Sequence, residues 1–206
     1  MGKHTQSTDF KVLDRIKHHS AGWVFSPGDF QDLGSATAVR LALMRHARSG
    51  AIRKVARGLY DRPRNLPRLG SLPPSPDQVV HAMQSRDRSL VQPSGAHAAN
   101  LLGLSQQVPV RAVFLTNGRS RTVQFGKQQI LFRHAATRQM AVAGRISGTV
   151  IQALRWLGRR QVDANTVAVL RRRLNDRDKK QLLQDLRFAP AWAANIMRQV
   201  AQSATV

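Results

Sequence analysis

Arg40, Arg45 and Arg48 recur along the segment 35–49, SATAVRLALMRHARS. On a helix turning 100° per residue they share one side with Thr37, Leu41 and Met44. Ala36, Val39, Leu43, His46 and Ala47 fall on the opposite side, which reads as a core face. The planar fork of arginine fits a guanine edge or a phosphate bidentately, so the basic side has the chemistry of a groove-reading helix. A charge-bearing helix face is commonly no more than solvated. Here no acid lies within the segment, and Arg53, Lys54 and Arg57 follow at once. Ser35 suits a helix cap, and the backbone N–H groups behind such a cap favour an anion.

Other basic groups could add phosphate contacts. Arg64 and Arg68 lie in a proline-rich stretch, and Arg119 and Arg121 flank Asn117-Gly118. Arg171, Arg172 and Arg173 form the densest run, which equally suits the negative end of a helix dipole. The 206 residues carry 33 bases against 11 acids, a net charge of +22 that points to a polyanionic partner. Every third is basic: residues 1–62 hold 11 bases and 5 Asp, residues 63–145 hold 11 and 2, and residues 146–206 hold 11 and 4. Apolar residues make up 42%, enough for a packed core.

Catalytic chemistry finds little support. Every acid is Asp; the absence of Glu excludes a His-Glu-x-x-His zinc site, an EF-hand closing ligand and a Glu acid/base pair. The absence of Cys excludes disulfides and a thiol nucleophile. Gly34-Ser35 and Gly70-Ser71 are not followed by the paired carboxylates that hold Mg²⁺ in a nucleotidyltransferase. Asp176 and Asp178 sit at a helix start and read as capping and dipole compensation. No phosphate-binding loop of the Gly-x-x-x-x-Gly-Lys type occurs, and the histidines read as structural. The expectation is a protein that is not an enzyme, with no catalytic residue, no metal and no cofactor. The first thirty residues hold no signal-like apolar run, and no apolar stretch reaches the roughly 18 residues of a membrane span.

The elements that position these residues follow from spacing. Helices are expected at 8–19 and 35–49, with a short one opened by Ser26-Pro27-Gly28-Asp29 between them. Two short strands are expected around a turn at 56–58. Three helices and a hairpin form the layout of a winged helix-turn-helix, assigned to residues 1–62. Residues 63–76, PRNLPRLGSLPPSP, contain five of the nine prolines and read as a stiff linker. Residues 77–206 read as a C-terminal α+β domain. It should hold a three-stranded antiparallel sheet, with strands at 111–116, 121–125 and 128–133 and a hairpin turn at Asn117-Gly118. Helices are expected at 77–85, 94–104, 144–157, 163–174, 176–187 and 190–202. The fold class is therefore α+β.

Several of these stretches are similar to one family. Trp23-Val24-Phe25, the 35–49 helix, and the hairpin with Ile52, Val55 and Arg57-Gly58-Leu59-Tyr60 resemble the winged helix of AbiEi-type antitoxins of abortive-infection systems. PSGAHAANLLGLSQQVPVRAVFLTNGRSR resembles the start of their C-terminal domain, and GRISGTVIQALRWLG their longer members. The resemblance implies a cytoplasmic autorepressor that binds repeats in its own promoter. It also implies neutralisation of a nucleotidyltransferase-class toxin, with a monomer in solution or two copies per operator. Carried over, the DNA-contacting positions are Ser35, Thr37, Arg40, Met44, Arg45 and Arg48 on the helix, with Arg53, Lys54 and Arg57 at the wing. An RNA-binding protein and a stand-alone repressor without a toxin are the alternative readings; the scarcity of stacking aromatics, at 5%, weighs against the former.

Overall fold

A computed structural model describes residues 7–68, 70–107 and 111–202, and shows a mixed α and β chain. Two compact units divide it: residues 1–88 with 124–127, and residues 89–123 with 128–206.

The first unit opens with α1 (Thr8–His18), capped by the Ser7 hydroxyl, which accepts from the Phe10 N–H at 3.2 Å. Strand β1 (Val24–Phe25) and a 3-10 segment (Pro27–Leu33) follow. The Asp29 carboxylate closes the head of that segment, accepting from the Ser26 N–H at 2.7 Å and its hydroxyl at 3.0 Å. Helix α2 (Ala36–Arg48) is capped by Ser35, whose hydroxyl accepts from the Ala38 N–H at 3.2 Å. Val12 and Ile16 stand one turn apart on α1 and are buried with Val39, Ala42 and Leu43 of α2. Phe25 and Phe30 meet edge to face at 5.4 Å in the same core. Ala36, placed on the core side by its angle, is exposed because it lies in the first turn, beyond the reach of that core.

Strands β2 (Arg53–Ala56) and β3 (Leu59–Asp61) form the expected hairpin, and β1 adds to it in the order β1-β3-β2, all antiparallel. Gly58 turns the hairpin at φ +68°, where a side chain would be strained.

The proline-rich stretch is more than a linker. It forms a hairpin of β4 (Arg64–Leu66) and β5 (Gly70–Leu72), with Leu69 outside the described residues. Pro63, Pro67, Pro73 and Pro74 bracket the two strands, so no missing N–H interrupts the pairing. Pro76 is the first residue of α3 (Pro76–Asp87), behind the Ser75 cap. This helix packs on β1 and β3, and the Gln78 amide donates to the Gly22 carbonyl at 3.1 Å. It thus belongs to the first unit, and the boundary falls after Arg88 and not at 76/77.

The second unit contains β6 (Val91–Ser94), α4 (Gly95–Leu101), β7 (Arg111–Thr116), residues 121–123 of β8 (Arg121–Phe125) and β9 (Gln128–His134). The four strands form one mixed sheet in the order β6-β7-β9-β8, in place of the expected three-stranded antiparallel one. Strand β7 pairs with β6 antiparallel and with β9 in parallel, in a register that sets Ala112 beside Ile130 and Phe114 beside Phe132. Asn117-Gly118 therefore closes no hairpin. The Asn117 side chain accepts from the Leu90 N–H at 2.9 Å, the Gly118 N–H donates to Thr116 Oγ1 at 3.0 Å, and Gly118 is not left-handed. A two-residue hairpin turn of this sequence would need positive φ at both positions.

Helices α5 (Thr137–Met140), α6 (Ile146–Leu157), α7 (Ala164–Arg173), α8 (Asp176–Gln184) and α9 (Ala191–Ala201) complete the unit. Asp163 caps α7; its carboxylate accepts from the Thr166 N–H and hydroxyl at 2.8 Å each, which holds it below the usual carboxylate range. The cap of α8 is Asn175 and not Asp176, with Asp178 completing a reciprocal capping box. Val150, Ile151 and Leu154 of α6 are buried with Leu170, Leu182 and Met197 from the later helices. Gly148 faces the Val142 carbonyl and the Gln92 amide so closely that no Cβ fits there. The amide donates to Val142 O at 3.3 Å and accepts from Thr149 N–H and Oγ1 at 3.0 Å each. Asp185 is buried at the end of α8 and receives Arg145 at 2.8 Å, the Gln181 amide at 2.9 Å and the Ser147 hydroxyl, tying α8 to the head of α6.

Candidate nucleic-acid interface

The outer face of α2 is basic and partly apolar. Thr37, Arg40, Leu41, Met44, Arg45 and Arg48 are all exposed, with Leu41 at 50% and Met44 at 45%. Leu41 and Met44 stand open beside three guanidinium groups, a mixture that suits base edges bearing both acceptors and thymine methyls. The core beneath holds this face in place: Val39, Ala42, Leu43 and His46 are buried on the other side of the same helix.

Two of the three arginines are already oriented. Arg45 reaches back to α1, where it meets Asp9 at 2.8 Å and stays 63% exposed at its side chain. His46 lies beside the same Asp9 at 3.5 Å. Arg40 folds along its own helix, and its Nε donates to the Ala36 carbonyl at 3.2 Å. Arg48 is exposed and has no side-chain partner among the described residues. At the head of α2 the Ser35 hydroxyl is occupied as the cap of Ala38. On α1, Arg15 forms a double hydrogen bond with Asp32 of the 3-10 segment at 2.7 and 2.5 Å. Those bonds hold the Asp32 carboxyl below its ordinary range and raise the Arg15 guanidinium.

The hairpin beside α2 divides its three bases between two roles. Lys54 and Arg57 are exposed at the edge and the turn. Arg53 is instead tied into the sheet, with its side chain 33% exposed. Its guanidinium grips Asp61, only 1% exposed at its side chain, through Nε at 3.1 Å and Nη2 at 2.5 Å. It also donates to the Ser71 hydroxyl at 3.1 Å and the Leu72 carbonyl at 2.8 Å, fastening the β4–β5 hairpin to the sheet. A buried carboxylate requires such a partner, so Arg53 has a structural role in the sheet.

Spacing alone missed a contribution from α3. The Arg86 guanidinium, held by Asp87 at 2.7 Å, donates to the Arg57 carbonyl at 3.0 Å and so fixes the hairpin turn. Arg86 and Arg88 join Arg40, Gly58, Asp29 and Ser26 around a cleft of about 480 Å³. Arg88 adopts a left-handed backbone at φ +49° as α3 ends. Arg86-Asp87-Arg88 carries no positional signal in the sequence, and only folding brings Arg86 to the turn.

The remaining bases separate similarly. Arg64 and Arg68 are exposed on the β4–β5 hairpin. In the second unit Arg119, Arg172 and Arg173 are exposed. Arg121 is exposed and stacks over Phe132 at 5.2 Å. Arg171 donates twice to the Gln199 carbonyl, at 3.1 and 2.7 Å, and serves α9. Among the described residues no group of three His or Asp could hold a metal ion, and no helix is long and apolar enough to cross a membrane.

Comparison with known proteins places most of the chain in one family. No curated protein matches it. Residues 11–182 match DUF6088, a family of unknown function, and the chain belongs to that family.

Proposed function

We propose that this protein is a sequence-specific duplex-DNA-binding repressor whose first unit acts as a winged helix-turn-helix. In this reading α2 enters the major groove and the β2–β3 hairpin is the wing. The observation that carries it is the outer face of α2, where Arg40, Arg45 and Arg48 alternate with exposed Leu41 and Met44 beside Lys54 and Arg57. The two open apolar side chains among the arginines suit contact with thymine methyls. Thr37, Arg40, Met44, Arg45 and Arg48 contact bases and nearby phosphates. Lys54, Arg57, Arg64 and Arg68 contact backbone phosphates. The basic second unit adds sequence-independent affinity through Arg119, Arg172 and Arg173.

The resemblance to AbiEi-type antitoxins supports a cytoplasmic autorepressor that also counteracts a nucleotidyltransferase-class toxin. That role carries no enzymatic step and falls to the second unit.

The deciding experiment is a gel-shift series on the gene's own upstream region, on random duplex and on structured RNA at matched salt. The expected result is preference for the upstream duplex. Arg40→Ala or Arg45→Ala should cost about 1–3 kcal/mol on the preferred site and relax specificity. Lys54→Ala and Arg57→Ala should weaken all duplexes and reduce the salt slope by roughly 0.9 each. Equal affinity for upstream and random duplex would refute the repressor, and preference for RNA would favour the alternative. The antitoxin role is tested by co-expression with the product of a neighbouring nucleotidyltransferase gene; continued toxicity refutes it.

A further inference from the structure

The second unit carries a groove of about 500 Å³ between α5, α6 and the segment before α9. Its volume falls in the range of small-molecule sites. Its wall is apolar, built from Val142, Ile151, Phe188 and Pro190. Its polar groups are Arg138, Arg155, Gln139 and Gln152, and no carboxylate lines it.

Gln152 is the informative residue. It is 8% exposed, and its Oε1 accepts from the Ser94 hydroxyl at 3.3 Å. Its Nε2 has no protein partner among the described residues. No enclosed side-chain nitrogen or oxygen among them lacks a partner, so this amide nitrogen opens into the groove that Gln152 lines. An N–H donor held in a buried side chain and left unpaired is a preset hydrogen-bonding position. Arg138 and Arg155 likewise have no ion pair or hydrogen bond among the described residues. Two unpaired cations, a fixed amide donor and an apolar wall complement one kind of ligand.

We propose that this groove binds a small organic anion, a carboxylate or phosphate ester carried on an apolar body. Arg138 and Arg155 hold the anionic oxygens, the Gln152 amide orients them, and Phe188 and Pro190 cover the body. The site lies wholly within the second unit and does not depend on the DNA-binding reading.

Titration calorimetry on the full chain tests it with three probes: 2-naphthoate, 2-naphthyl phosphate and the neutral 2-naphthalenemethanol. The expected result is saturable binding of at least one anion with a Kd below about 1 mM. The neutral alcohol should bind at least about tenfold more weakly, because the charge-assisted hydrogen bonds are lost. The double variant Arg138→Gln/Arg155→Gln changes two exposed side chains and should weaken the anion by about tenfold or more. Its circular dichroism and thermal unfolding should match the parent. Which anion binds more tightly distinguishes the carboxylate from the phosphate source. The proposal is overturned if neither anion saturates at millimolar concentration, if the alcohol binds as tightly, or if the double variant binds as the parent does.

Discussion

Replacing Arg53 by Ala separates a strut from a DNA contact. Asp61 is 1% exposed at its side chain, and both its oxygens rest on Arg53. Removing one partner of a buried ion pair costs about 3–5 kcal/mol, because the remaining charge stays desolvated. The Arg53 side chain keeps 33% exposure, so water can reach the vacated site, and we expect the lower end, about 3 kcal/mol. The loss should appear as a lower urea midpoint. Faster amide exchange should appear in residues 53–61 and in 70–72, since Arg53 also binds Ser71 and Leu72. Asp61→Asn in the same background should recover part of the loss by removing the orphaned charge. A phosphate ligand behaves in the opposite way: its removal leaves stability unchanged and lowers the salt slope of DNA binding by about 0.9. An Arg53→Ala protein within about 1 kcal/mol of the parent would refute the strut, since that is the ceiling of an ordinary exposed pair.

Other outcomes follow from the same geometry. Gly148→Ala would set a Cβ 2.5 Å from the Val142 carbonyl and against the Gln92 amide. It should destabilise the second unit by about 1–3 kcal/mol in urea unfolding, and parent-like stability would contradict the close approach. The Asp163 carboxyl is held down chiefly by the Thr166 N–H, then by its hydroxyl. Its folded value lies below the unfolded one, so its stabilisation of α7 is present above the ordinary Asp range near ~3.9 and is lost as pH falls through the depressed value. Exchange protection of residues 164–173, corrected for intrinsic rates, should fall there in the parent and stay flat in Asp163→Asn. Once a preferred duplex is known, replacing its thymines by deoxyuracil one at a time should weaken binding at one or more positions. The loss of one methyl contact is about 0.8 kcal/mol, roughly fourfold. Leu41→Ala or Met44→Ala should abolish that sensitivity; a parent indifferent to every replacement would show that these side chains touch no thymine.

Legibility followed the range of the interactions. The cap at Ser35 and the Gly58 turn act within four residues, and each could be read from neighbours in the chain. The 3.6-residue period likewise placed Val39, Leu43 and His46 inside and Arg40, Arg45 and Arg48 outside. Pairings at longer range could not be read in this way. Asn117-Gly118 carries a hairpin signal, yet β7 has both edges taken by β6 and β9, and that competition is invisible locally. Prolines in 63–76 suggested a linker because composition does not say whether they fall within or between the paired residues. Arg53 and Arg171 looked like their exposed neighbours until their partners, at Asp61 and Gln199, were brought up by the fold.

The missing glutamates bear on the candidate interface as well as on catalysis. Eleven acids face 33 bases, and eight of the acids are engaged at structural positions. Asp29, Asp163 and Asp178 close helix starts, where a short carboxylate reaches backbone N–H groups. Asp9, Asp32, Asp61, Asp87 and Asp185 hold Arg45, Arg15, Arg53, Arg86 and Arg145 between or along elements. What is left over is therefore cationic. Lys54, Arg57, Arg64 and Arg68 on the two hairpins and Arg48 on α2 are exposed, with no carboxylate bound to them among the described residues. Those charges repel one another, and neutralisation by a polyanion relieves that repulsion while releasing its counterions. In the proposed DNA-binding reading, the paired arginines set the shape of the surface, whereas the unpaired ones set its affinity. Arg45 belongs to both groups, since Asp9 orients it and most of its side chain still faces outward. Position-specific readout is therefore expected at Arg45 before the freely rotating Arg48, because a preoriented guanidinium loses less entropy on meeting a base.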